Sequence, residues 1–237
     1  MAGNKQVVVV VGSGNIAQYL TEEFTNDKTH DVIIISRSDP QFFRDLNITS
    51  YKLVEYSKDA VVSILDSVKA TVLVSTLHTD DPTAFTSLHE VLLAACKSSK
   101  SCKRFIPSEF LGNLRDFPSL PRGIQRARQA FRKTLAAQSD VKWTLVNQGW
   151  LADYFVQVPD GSKSYRTYVT KEDLEKDLTR GVEDARWYTA TIDEWSGFGG
   201  TAVPREEALR QREKYFKDVH FRTIEDLFQD SKTMQII

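Results

Sequence analysis

Val7 to Ala17 reads VVVVVGSGNIA, and this short run constrains the chain more than any other. Five consecutive valines are β-branched and apolar, so they suit a strand buried on both faces better than a half-wet one. They lead directly into Gly12-Ser13-Gly14-Asn15-Ile16-Ala17, followed by a helix-like stretch. Gly12 can make the tight turn after the strand. Gly14, without a Cβ, lets a pyrophosphate approach the backbone, and Ala17 is small enough for the helix to pack on a sheet. The helix N-terminus adds unpaired N–H groups and the positive end of a dipole. The six residues from Gly12 to Ala17 are therefore candidate dinucleotide-binding residues, the alternative being a tight turn without a ligand.

At 237 residues the chain can bury a substantial core. With 31 basic and 32 acidic side chains its net charge is -1, which gives no general attraction to nucleic acid or anionic membrane. Cys96 and Cys102 are too few for a disulfide framework and read as reduced thiols. The histidines His30, His78, His89 and His220 show no ligand spacing with them or with each other, so no metal is expected. Met1 to Gln6 is too short and polar for a signal peptide, and the valine run is too short to span a bilayer. The expectation is a soluble, cytoplasmic protein, monomeric or homodimeric, acting on a small molecule.

Strand-like and helix-like segments alternate beyond the glycine turn. Ile16 to Phe24 places Ile16, Leu20 and Phe24 on one helical face. Asp31 to Ser36 (DVIIIS) is a second buried strand, Tyr51 to Tyr56 a third and Ala70 to Leu77 a fourth. Asp59 to Val68 and Phe85 to Lys97 are helices. Lys103 to Ile106 starts a fifth strand that breaks at Pro107, and Trp143 to Val146 supplies a sixth. This order predicts an α/β fold with a doubly wound parallel sheet over residues 1–155. Residues 156–237 read as a small α-rich substrate cap, with helices over Lys171 to Leu178 and Glu206 to Phe216. Gly197, Gly199 and Gly200 read as a flexible loop, and Trp187, Tyr188, Trp195 and Phe198 either line a pocket or pack a small core.

The end of the second strand sets the cofactor type by charge. A carboxylate there would accept from a ribose 2′-hydroxyl and repel a 2′-phosphate. Here the chain has Ser36-Arg37-Ser38, a guanidinium between two hydroxyls, which suits a phosphate and favours NADP(H). Asp39 dissents, being a carboxylate able to turn back onto a ribose.

Two stretches, HEVLLAACKSSKSCKRFIPSEFLGN from His89 and WTLVNQGWLADYF from Trp143, resemble the isoflavone reductase-like and NmrA-like branch of the atypical short-chain dehydrogenases. Lys103 to Phe110 matches that family's K-R-F-x-P-S-E-F. The resemblance covers about residues 5–155, and the tail is shorter than members usually have. It implies an NADP-binding Rossmann fold in which Pro107, Ser108, Glu109 and Phe110 lie near the nicotinamide and Leu77-His78 lie under the cofactor. Asn147, Gly149 and Trp150 would then form the pocket wall. The plainer alternatives are that Pro107 only ends a strand and that Glu109 only caps or pairs with an arginine.

Reductases of this family place a lysine on the helix between these motifs as proton donor or orienter. In Gly123 to Ala137, Ile124, Ala127, Phe131 and Leu135 make the apolar face. Lys133 falls opposite that face and should point to water, whereas Arg128 stands where the family's lysine would. Arginine keeps its proton and is a poor general acid, although it can hold a carboxylate, a phosphate or an enolate oxygen. Nor does the chain contain a Tyr-x-x-x-Lys pair. Three functions stay open: reduction of a small organic substrate by hydride transfer, using Arg128, His78 or the pocket tyrosine Tyr154; a cyclisation or isomerisation without net redox change; and non-enzymatic sensing of NAD(P).

Overall fold

The computed structural model describes residues 5–79, 81–148, 170–181, 184–202 and 204–217. Six strands form one sheet: β1 (Gln6–Val11), β2 (His30–Ser36), β3 (Thr49–Lys52), β4 (Val72–Ser75), β5 (Arg104–Ile106) and β6 (Lys142–Trp143). All neighbours run parallel, in the order β3-β2-β1-β4-β5-β6. Between them lie α1 (Asn15–Asp27), α2 (Gln41–Asp45), α3 (Lys58–Ser67), α4 (Pro82–Ser98) and α5 (Ile124–Ala136). The expected doubly wound Rossmann architecture is present.

The valine run explains itself in this layout. Val9 and Val11 join the core under α3, α4 and α5, with Ile35, Leu65, Leu73, Leu92, Phe105 and Phe131. Val8 and Val10 face the other way, toward Ala17 of α1 and Phe43 of α2. Both faces of β1 are covered from Val8 to Val11, so none of these four positions can be polar. Ala17 is fully buried, as close packing of α1 on the sheet requires.

Several boundaries differ from expectation for physical reasons. β3 runs from Thr49 to Lys52 rather than from Tyr51 to Tyr56, because its partner strand ends. Ser36 opposes Lys52, and the Leu53 N–H makes a last bond to the Ser36 carbonyl at 2.9 Å. The short helix α2, which carries the buried Phe43, had no periodic signal of its own. Ser57 caps α3 and Asp81 caps α4, with Pro82 in the first turn of α4. Cys96 and Cys102 are both buried and unbridged, their sulfurs 3.9 Å apart.

The contacts divide the chain into two compact units, Met1–Ala202 and Val203–Ile237. The first unit contains α6 (Lys171–Leu178) and α7 (Ala185–Gly197), joined at a corner where Arg180 binds Asp177 at 2.8 Å and Asp184 at 3.0 Å. α7 is fastened to the segment that follows β5. The Asn113 N–H donates to the Gly200 carbonyl at 2.6 Å, and Arg122 grips Glu194 through two bonds of 2.6 Å. Gly197 ends α7 in open space, whereas Gly200 is buried against the Trp195 indole and serves close packing. Trp195 is buried, whereas Phe198 is exposed. In the second unit, α8 (Arg205–Tyr215) has no buried residue, with acids in its first turn and bases in its last.

Phe105, on β5, is fully buried between the sheet and α5. Phe105→Ala is expected to lower unfolding free energy by about 3–5 kcal/mol, measured by urea denaturation followed by circular dichroism.

Candidate functional site

The carboxyl ends of β1 and β4 meet at the point where strand order reverses, where open α/β sheets bind ligands. Gly12 has φ +126°, and a Cβ there would collide with the Thr76 hydroxyl. Its N–H donates to the Ile35 carbonyl at 2.9 Å, while Thr76 returns two bonds to the Val11 carbonyl, from its N–H at 2.8 Å and its hydroxyl at 3.0 Å. Only glycine allows β1 and β4 to close this tightly. Gly14 is the N-cap of α1, and a Cβ on it would meet nothing within 4 Å. No side chain caps α1, and its first turn carries no acid. An open cradle ahead of an uncapped helix N-terminus fits a pyrophosphate.

The end of β2 is drawn to this loop by Ser13 and Ser38, whose hydroxyls lie 3.2 Å apart. Ser36 departs from expectation: it is buried and its hydroxyl donates to the Ser38 carbonyl, so it shapes the turn instead of facing a phosphate. Arg37 is exposed. Asp39 is held by Arg44, whose guanidinium lies 2.7 Å from its carboxylate and also bonds its carbonyl. That pairing offsets the carboxylate charge that argued for a ribose hydroxyl. Tyr56 lies beneath, its phenol pushed up by burial against the pull of the Arg37 charge and of a backbone hydrogen bond there.

The other half of the edge is organised by a residue that sequence reasoning missed. His89, on α4, is fully buried. Its Nδ1 lies 2.8 Å from the Phe85 carbonyl, which can only accept, so Nδ1 carries the proton. Nε2 therefore accepts from the Ser108 N–H at 3.2 Å and from the Ser75 hydroxyl at 3.1 Å. Ser75 in turn accepts from the Leu77 N–H at 3.4 Å. One neutral imidazole thus ties the loops after β4 and β5 together. Burial, helped by the charge of Arg128 and opposed by the favourable bond to Phe85, lowers its pKa to about 4. The usable signal was the spacing of Phe85 and His89, one helical turn apart on the apolar face of α4.

Pro107, Ser108 and Glu109 of the P-S-E-F segment are buried and Phe110 is half-buried, and Glu109 corrects part of its expected role. Instead of presenting its carboxylate to a ligand, Glu109 is 1 % exposed and paired with Arg132 of α5, whose Nε and Nη2 reach its Oε2 at 3.2 and 2.5 Å. Its other oxygen, Oε1, has no hydrogen-bond partner. Asn147 donates to the Glu109 carbonyl at 3.1 Å and so pins this loop to the chain beyond β6. Arg132 follows Arg128 by four residues, and that i,i+4 spacing was its sequence signal.

Arg128 is buried, with its guanidinium 4.5 Å above the Phe85 ring. That ring stacks on His89 at 4.0 Å, so cation, phenyl and imidazole form a column beneath the loops. Lys133 is exposed, as its helical position predicts. His78 is exposed and Leu77 half-buried after β4, while Pro107, Ser108 and Phe110 follow β5 on the same edge. Gly149, Trp150 and Tyr154 lie outside the described residues.

The model of a family described as NAD(P)H-binding matches residues 12–181. The chain is 39% identical over 149 residues to oxidoreductase swnR of Arthroderma benhamiae, an alignment covering 63% of this chain and 47% of that protein. It therefore spans about half the length of the curated relatives it matches. Its fold is similar to that of the leucoanthocyanidin reductase–NADPH complex of Vitis vinifera, at 20% identity and TM-score 0.50, covering 60% of this chain and 49% of the other. A structure from work on pinoresinol-lariciresinol and phenylcoumaran benzylic ether reductases aligns at 20% identity and TM-score 0.55, covering 64% and 52%. Among the described residues no helix is long and apolar enough to cross a membrane.

His89 gives the fold a defined acid sensitivity. Its ordinary pKa of 6.5 falls to about 4 in the folded protein, so between these values only the unfolded chain takes up the proton. Its contribution is complete above pH 6.5 and is lost as pH falls toward 4, in all about 3 kcal/mol. Urea midpoints measured across this window should fall with pH, and more shallowly for His89→Gln than for the parent chain.

Proposed function

The chain belongs to the NAD(P)H-binding family, and on that premise we propose that it is an NADP(H)-dependent oxidoreductase of a small organic, secondary-metabolite-like substrate. The observation that carries this reading is the glycine cradle: an open Gly14 before an uncapped α1, with Arg37 exposed beside it. The Arg44–Asp39 pair supports NADP(H) over NAD(H), since the one acid near the end of β2 has its charge offset. Gly12 to Ala17 would hold the pyrophosphate, Arg37 and Ser38 the 2′-phosphate, and Leu77, His78, Pro107, Ser108 and Phe110 would line the nicotinamide end. When bound, the nicotinamide supplies or takes the hydride.

Among this chain's own groups, Arg128 would stabilise developing negative charge on a substrate oxygen and stays protonated throughout. His78 and Tyr154 remain the proposed proton carriers. The buried unbridged thiols support a reducing, cytoplasmic setting. A second reading, rearrangement of a substrate without net redox change, is favoured by the same arginine, which holds an oxyanion well and donates protons poorly.

Binding and turnover separate these readings. Arg37→Ala should weaken NADPH about tenfold or more while changing NADH less than about threefold, measured by fluorescence titration; equal losses would refute the 2′-phosphate role. Arg128→Lys should retain or raise NADPH oxidation with enone, imine or quinone substrates. A lysine variant that binds NADPH normally yet turns nothing over would mean that Arg128 fixes the substrate specifically.

A further inference from the structure

The corner leading into α5 forms a pocket of about 480 Å³ with α6 and α7, room for a molecule of one or two rings. Leu120, Leu178 and Trp187 supply apolar walls. Trp187 lies so close to Gly123 that a Cβ there would approach its ring at 2.9 Å, which sets the indole against the start of the helix. Four polar residues, Ser119, Arg122, Gln125 and Arg126, share the lining. Arg122 is committed, held at two points by Glu194. Arg126 is exposed and makes no ion pair among the described residues. Gln125 is 9% exposed, and its Oε1 is buried without a hydrogen-bond partner.

These features select a ligand. A buried acceptor lacking a donor is costly unless a bound molecule provides an N–H or O–H. An uncommitted guanidinium at the start of a helix favours a carboxylate, and an indole wall favours a flat ring. Gln125 and Arg128 are three apart on α5 and hence neighbours on its surface, which puts the pocket beside the family's lysine position. We propose that this pocket binds a small planar ring carboxylate carrying a hydrogen-bond donor, with the carboxylate on Arg126, the ring on Trp187 and the donor on Gln125 Oε1. Calling this ligand the substrate rests on the oxidoreductase reading; the binding does not.

The test is calorimetric titration of the full chain with three probes. Pyrrole-2-carboxylate has the ring, charge and donor; furan-2-carboxylate lacks the donor, and pyrrole-2-carboxamide lacks the charge. The first should bind about tenfold tighter than either of the others. Arg126→Gln should abolish its advantage over the carboxamide, and Gln125→Leu its advantage over the furan acid, with NADPH affinity unchanged in both as the check on folding. Equal binding of the three probes, no binding of any, or an unchanged preference in Arg126→Gln would overturn the proposal. Probe binding with these losses but without NADPH oxidation on any substrate would sink the oxidoreductase reading and leave the pocket standing.

Discussion

Burial of β1 on both faces is the constraint from which the rest of the molecule follows. Val8 to Val11 are at most 3% exposed, flanked by β2 and β4 and covered above and below by helices. A parallel strand so enclosed needs crossovers on both sides, and the order of strands must reverse beside it. The glycine turn leaves β1 at that reversal. Gly12 closes β1 onto Thr76 at the end of β4, and Gly14 leaves space ahead of α1, so the cradle is a consequence of how the central strand is packed.

The second half of the edge depends on polar groups buried under the loops. His89 holds the backbone after β5 and the serine at the end of β4, and it can do so only while neutral, because Nε2 must accept from both. Glu109 and Arg132 fix the same loop to α5, and Asn147 fixes it to the chain beyond β6. Such networks are costly when half-satisfied and rigid when complete. Here they hold the P-S-E-F segment from beneath, so that segment is positioned by His89, Arg132 and Asn147, which lie outside it.

Legibility followed the range of the interactions. The alternation of strands and helices, the glycine turn, the burial of Ala127, Phe131 and Leu135 on α5 and the outward direction of Lys133 are local consequences of periodicity and backbone sterics, and they stood as read. The limits of β3 could not be read, because they are set by where β2 stops pairing. Ser36 and Glu109 looked like ligand-facing groups by position; the first is used by its own turn and the second by an arginine in a different element. Residue type showed that each was polar, but which partner it met was decided across the fold.

The sequence by itself determined the Rossmann sheet, the glycine turn and the basic character of the β2 end, since each depends on neighbours in the chain. Only the tertiary structure decided that Arg128 stacks over Phe85, that His89 is the knot between β4 and β5, and that α7 leans on the segment after β5. Those contacts join residues from separate elements, and burial sets their protonation and partners, a property that no single stretch of chain carries.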